Sequence, residues 1–157
     1  TNKAIQQFDA FRLAEGQAME NDLQLRVSNI KSALPLVDPH QEERVVRVRQ
    51  RMYQNLEEYL GKEKIDENRF EQEIIFYLEK MDITEEKVRL RQHCDYFLEA
   101  LNASGDIKSR KLNFISQEIG REINTLGAKA QYSPIQKLVV SMKDELEKIK
   151  EQMANIL

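Results

Sequence analysis

The chain has 157 residues, about one domain's worth, with 32% charged residues, 5 glycines, 3 prolines, no tryptophan and a net charge of −3. This composition favours long helices over sheets, and the mild negative charge excludes a protein that coats nucleic acid everywhere while leaving room for a local basic groove. A single cysteine, Cys94, excludes an intrachain disulfide framework, and neither a signal-peptide pattern nor a run of about 20 apolar residues is present, so the reading is a cytoplasmic protein that does not enter a membrane.

Ile5, Phe8, Arg12, Glu15, Met19, Leu23, Arg26 and Ile30 recur at spacings of three and four, predicting a first helix of about thirty residues with an a/d-like seam. Arg12, Glu15 and Arg26 stand where leucine is expected, and Gly16 costs a helix interior about 1 kcal/mol against alanine. Two readings are open: a seam edge with snorkelling side chains and a close helix crossing at Gly16, or a polar site that receives Arg12 and Glu15.

The segment LPLVDPH predicts a break, with Asp38 capping and Pro39 in the first turn of a second helix. Val45, Val48, Met52, Leu56 and Tyr59 make its apolar stripe, Gly61 ends it, and Arg44, Arg47 and Arg51 line the far side as a basic strip. Such a strip suits phosphates, although most are only solvated surface.

Asp66 caps a third predicted helix, with Phe70, Ile74, Tyr77, Leu78 and Met81 inward and an Arg69–Glu73 pair on its flank. Asp82 and Glu85 fit a capping box at the start of a fourth, which carries Glu86, Arg89 and His93 beside an apolar side of Leu90, Cys94, Phe97, Leu98 and Leu101. Cys94 reads as packing rather than as a nucleophile.

NASGD predicts a loop before the segment from Ser109 to Lys129. At 100° per residue, Leu112, Ile115, Ile119, Ile123 and Leu126 form one buried stripe. The opposite face carries Arg110, Phe114, Gln117, Arg121 and Asn124, with Lys111, Glu118, Glu122 and Thr125 between the two. A face with two guanidiniums around a phenyl ring is richer in chemistry than solubility requires. Ser133-Pro134 starts a last helix, whose seam of Ile135, Leu138, Met142, Leu146, Ile149, Met153 and Ile156 is heptad-like. The expected fold is an all-α bundle of about five to six helices, the first and last of them long, with no period-2 strand.

No Gly-rich phosphate loop, Walker lysine, HExxH helix or paired-cysteine zinc signature occurs. Two constellations remain. Glu85, Glu86, His93, Glu118 and Glu122 offer oxygen donors and one imidazole, a set suited to Mg or Mn. Arg110, Phe114 and Arg121 suit gripping phosphates and stacking an unpaired base. Together they fit metal-assisted cleavage of a phosphodiester. Against this stands the plain reading, in which helix glutamates form surface ion pairs.

Several segments, in order, carry a resemblance: FRLAEGQAM with Arg12, Glu15 and Gly16; the pair Arg49 and Arg51; NRFEQEI with Arg69, Glu71, Gln72 and Glu73; and DITEEKVRLRQH with Asp82, Glu85, Glu86, Arg89 and His93. The most specific is the helix with Arg110, Lys111, Leu112, Phe114, Gln117, Glu118, Arg121, Glu122, Asn124 and Thr125. On these residues the chain resembles the C-terminal half of the YicC/YloC endoribonuclease family over nearly its whole length. It departs from the family pattern at Ser109, where glycine is usual, and at Asn113, where aspartate is usual. Asn113 keeps an oxygen without the charge, which puts a role as metal ligand or base in doubt.

The resemblance implies a bacterial, cytoplasmic, metal-dependent endoribonuclease that uses Mn or Mg, acts on RNA and assembles as a ring-like homo-oligomer, often a hexamer. It implies that residues 1–157 form one helical domain, that an N-terminal domain belongs to the longer protein, and that this part alone is inactive if cleavage needs both halves. The expected site has Glu86, His93, Glu118 and Glu122 as catalytic groups and Glu85, Glu86, His93 and Glu118 as metal ligands. Arg12, Arg69, Arg89, Arg110 and Arg121 would hold phosphates and Phe114 would stack a base. The competing reading is a non-catalytic oligomerisation or RNA-clamp module of the same protein.

Overall fold

The computed structural model describes residues 2–103 and 108–156, with side chains as far as 155. They form α1 (Asn2–Leu60), a 3-10 turn (Lys62–Lys64), α2 (Glu67–Met81), α3 (Thr84–Asn102), α4 (Lys108–Lys129) and α5 (Ser133–Ile156), with no strand among the described residues. The fold is all-α, and its first and last helices are the longest. Of the predicted NASGD loop, Asn102 closes α3 and Ala103 turns to an extended conformation; the rest lies outside the described residues.

The first two predicted helices are one. α1 runs through Pro35 and Pro39 without interruption, so Asp38 is not a helix cap but accepts from Lys87 Nζ at 2.5 Å. An interior proline costs a helix about 3 kcal/mol because it removes an N–H and crowds the preceding turn. Leu34 and Val37, both buried, hold this stretch in the core, at about 1.5–3 kcal/mol for each large apolar side chain. The two prolines, one turn apart, are exposed.

α1 packs against α3 and α5, and α4 closes the ring between them. Asp22 with Gln152 and Arg26 with Glu145 set α1 antiparallel to α5, while Lys31 with Asp95 and Asp38 with Lys87 do the same for α3. The result is an up-down-up-down bundle. One continuous core runs through it from Leu23 and Ile30 of α1 by Phe97, Ile119 and Ile123 to Ile135 and Ile149. Along α4 a methyl on Gly127 would lie 3.0 Å from Val139 Cγ1, so that glycine lets α5 approach closely.

Both ends of α1 leave the bundle. At the far end Gly61, in the left-handed region at φ 79°, turns the chain so that α2 returns along α1. Asp66 caps α2 as the sequence predicts, accepting from the backbone N–H of Asn68 and Arg69, and the Phe70 ring meets Tyr53 edge-on at 5.3 Å. At the near end residues 2–18 form an exposed arm. The close crossing expected at Gly16 does not occur among the described residues, since none lies within 4 Å of the position a Cβ would take.

Candidate functional site

The wheel drawn for α4 is reproduced in space. Leu112, Ile115, Ile119, Ile123 and Leu126 are buried, and Arg110, Phe114, Gln117, Arg121 and Asn124 are exposed in a row, with the Phe114 ring 62% open to solvent. A phenyl ring left in water between two guanidiniums is available for stacking. Thr125 bonds back to the Arg121 carbonyl at 3.0 Å.

Where α4 faces α3, charges alternate across a seam. Lys129 Nζ meets Glu86 at 2.7 Å, and Arg89 spans Glu122 at 3.4 Å and Glu85 at 3.1 Å. Farther along, the Lys111 ammonium lies 4.7 Å over the Tyr96 ring. These rungs place His93, which is half-buried, opposite residues 115–119. Arg121 reaches Glu118 only at 3.8 Å, from the exposed side. Glu86 and Glu122 are 2% and 7% exposed, unusual for carboxylates, and Oε2 of Glu86 has no hydrogen-bond partner among the described residues.

The predicted acid and imidazole residues therefore share one seam between adjacent helices, but they do not gather around one point. Glu85, Glu86, Glu118 and Glu122 each have a cationic side chain as salt-bridge partner, and among the described residues no three His, Cys, Asp or Glu side chains come together as a metal site requires. Within one chain this donor set does not fit a divalent ion.

The predicted phosphate-binding arginines separate into four places. Arg110 and Arg121 border Phe114, and Arg89 lies in the seam. Arg69 is on α2, with a loose 3.8 Å contact to Glu73, and Arg12 is on the exposed arm, 5.9 Å over the Phe8 ring. Neither of the last two reaches the seam. Asp82 holds the first turn of α3 by accepting from the backbone N–H and the hydroxyl of Thr84, and these bonds keep its carboxyl below the usual range. Glu85 does not complete the expected capping box, since it pairs with Arg89. Burial pushes the Cys94 thiol up to about 12, so it is no nucleophile at neutral pH.

The residue that sequence reasoning misplaced is Arg44. It was grouped with an exposed strip, yet it is 5% exposed and bonds to Gln41 Oε1 at 2.8 Å and to the carbonyls of Met81 and Lys129, the last residues of α2 and α4. Two helix ends thus dispose of orphan acceptors on one guanidinium, whose pKa burial lowers. Its spacing from Val37 and Val48, seven and four residues, was the available signal.

The family described as "Endoribonuclease YicC-like, C-terminal" matches residues 37–157. The chain belongs to the YicC-like endoribonuclease family. A protein of Clostridioides difficile (strain 630) named "Probable endoribonuclease YicC" is 36% identical over 146 residues, covering 92% of this chain and 50% of that protein. One of the same name from Haemophilus influenzae is 31% identical over 156 residues, covering 95% and 51% respectively. The chain spans about half the length of these curated relatives. The YicC-like match takes in the α3–α4 seam and the whole outward face of α4, and leaves out the arm of α1.

Proposed function

We propose that this chain is the helical half of a bacterial, cytoplasmic endoribonuclease, in which α4 carries the RNA and the α3–α4 seam serves the cleavage. The observation that supports it most is the row Arg110, Phe114, Gln117, Arg121 and Asn124, fully presented to solvent directly beside a seam with two buried glutamates and a histidine. On this reading Arg110 and Arg121 hold successive phosphates and Phe114 stacks a base. His93 exchanges a proton with the reacting oxygen, Glu118 works beside it, and Arg89, anchored on Glu122, supplies positive charge toward the phosphate.

The test uses the intact protein. Glu118→Gln and His93→Ala, each folded and of unchanged assembly size, are expected to lose cleavage of a labelled RNA in the presence of Mn. Undiminished cleavage by both removes this site.

Dependence on Mn or Mg remains a separate expectation. The ion pairs of Glu85, Glu86 and Glu122 do not prefigure a metal site in the single chain, so donors from another chain or an exchange of partners would be required. Cleavage that persists in EDTA and is not raised by Mn would overturn it.

A second reading, an assembly and clamp module, is favoured by the arm. Ile5, Phe8, Phe11 and Leu13 stand exposed on α1. It predicts a homo-oligomer, with a hexamer as the form implied by the resemblance. Light scattering that shows a monomer which still cleaves RNA would count against it.

A further inference from the structure

A cleft of about 670 Å³ opens where α1, the end of α2 and the end of α4 meet. Its walls carry Arg44, Arg47, Arg51 and Lys129 with Tyr77 and Tyr132, and among the described residues no carboxylate lines it. In a chain of net charge −3, four cations without an acid among the lining residues are a marked segregation. The acids at its border are engaged: Glu43 accepts from the Tyr132 hydroxyl at 2.9 Å, with Arg47 near enough to help lower its pKa, Glu86 takes Lys129, and Asp82 accepts from Thr84.

Arg47 and Arg51 differ from the arginines of the seam. Among the described residues neither has a carboxylate within ion-pair distance; the Arg47 guanidinium lies 5.6 Å over the Tyr132 ring, while Arg51 is exposed. The ends of α2 and α4, which would otherwise present negative carbonyls to the cleft, are covered by Arg44. The cleft is also continuous with the α4 face. Ala128, which lines it, falls on the same wheel positions as Arg110, Phe114, Gln117, Arg121 and Asn124. From Arg110 to Ala128 is about 27 Å at 1.5 Å per residue, the length of about eight stacked nucleotides at ~3.4 Å each.

We propose that this cleft holds the phosphodiester backbone of a single-stranded RNA at the end of a track down α4, with Arg47 and Arg51 on phosphates and Tyr132 against a base. The inference rests on the RNA reading of α4 and extends the bound strand beyond it. Arg47 and Arg51 are positioning residues for the strand, outside the seam itself.

Binding is measured by fluorescence anisotropy of a labelled single-stranded RNA of about twelve nucleotides with this chain in EDTA, across a salt series. Arg47→Gln with Arg51→Gln is expected to weaken binding about ten-fold and to reduce the log–log salt slope by about 1.4, at about 0.7 per phosphate on a single strand. Tyr132→Ala weakens it further, while Tyr132→Phe does not, because the ring face remains. Arg110→Gln with Arg121→Gln is the parallel arm.

If the α4 pair weakens binding and the cleft pair leaves affinity and slope unchanged, this inference fails and the α4 reading stands. If only the cleft pair matters, the α4 reading fails. Absence of RNA binding by the parent chain overturns both. Inorganic phosphate or a mononucleotide that binds the cleft as tightly as the oligonucleotide, with no gain from strand length, shows a small-anion site and overturns the inference.

Discussion

Cations of the α3–α4 seam and cations of the cleft are the same residue types on neighbouring parts of the molecule, yet their surroundings differ in kind. Arg89 has Glu85 and Glu122, and Lys129 has Glu86, so the seam is neutralised from within. Arg47 and Arg51 have a ring and open solvent. The seam spends its charge on holding two helices in register, and the cleft keeps its charge for something outside the chain. A count of charged residues sees no difference between the two; only the identity of each neighbour does.

The comparison breaks hardest at Arg44, a cleft cation that is structural. Arg44→Met is expected to cost about 3–4 kcal/mol in urea unfolding, because it leaves the carbonyls at two helix ends without donors in a buried place. A loss below about 1 kcal/mol would show that water replaces the guanidinium.

Next comes the asymmetry of the Glu86–Lys129 pair. Lys129→Met leaves a carboxylate that is 2% exposed without its cation, and about 2–3 kcal/mol should be lost. Glu86→Gln leaves only a lysine with access to water and should cost under about 1 kcal/mol. Equal costs for the two variants would mean that Glu86 is hydrated in solution.

The smallest effect lies at the joint between the two regions, at Asp82. Its carboxyl is held low first by the Thr84 hydroxyl and backbone bonds, with lesser help from Lys87 and Lys129. A depressed folded pKa contributes stability that is present above the unfolded value of about 3.9 and lost as pH falls through the folded one. Asp82→Ala should therefore cost about 1 kcal/mol at pH 7, and the gap between variant and parent should narrow only below about pH 4. A gap that closes at pH 6 would point to a different group.

Much of this was legible in the sequence because it is local. The stripes of α3, α4 and α5, the cap at Asp66 and the stop at Gly61 follow from residues within a few positions of one another. The outward face of α4, with Phe114 between Arg110 and Arg121, came directly from the wheel. What failed was local reasoning applied to a non-local outcome. Pro35 and Pro39 signal a break by every local rule, and the core contacts of Leu34 and Val37 outweigh them. Arg44 reads as a surface residue in the sequence because its acceptors are the last carbonyls of two other helices, 37 and 85 residues away along the chain. The cleft was legible only as the strip of α1, since Tyr77, Lys129 and Tyr132 join it from three further segments. The pairing of the seam carboxylates with arginine and lysine was the plain alternative in the sequence, and it is what the single chain shows.

The unbroken course of α1 has a mechanical consequence. At 1.5 Å per residue its 59 residues make a rod about 88 Å long, with the exposed arm at one end, Arg47 and Arg51 toward the other, and the bundle gripping the middle. The two prolines weaken its hydrogen-bond ladder, but they do so inside the grip, where core packing holds the axis. The free lengths are the stiff ones. A load applied at the arm therefore enters the bundle along the same helix that carries Arg47 and Arg51 to the cleft.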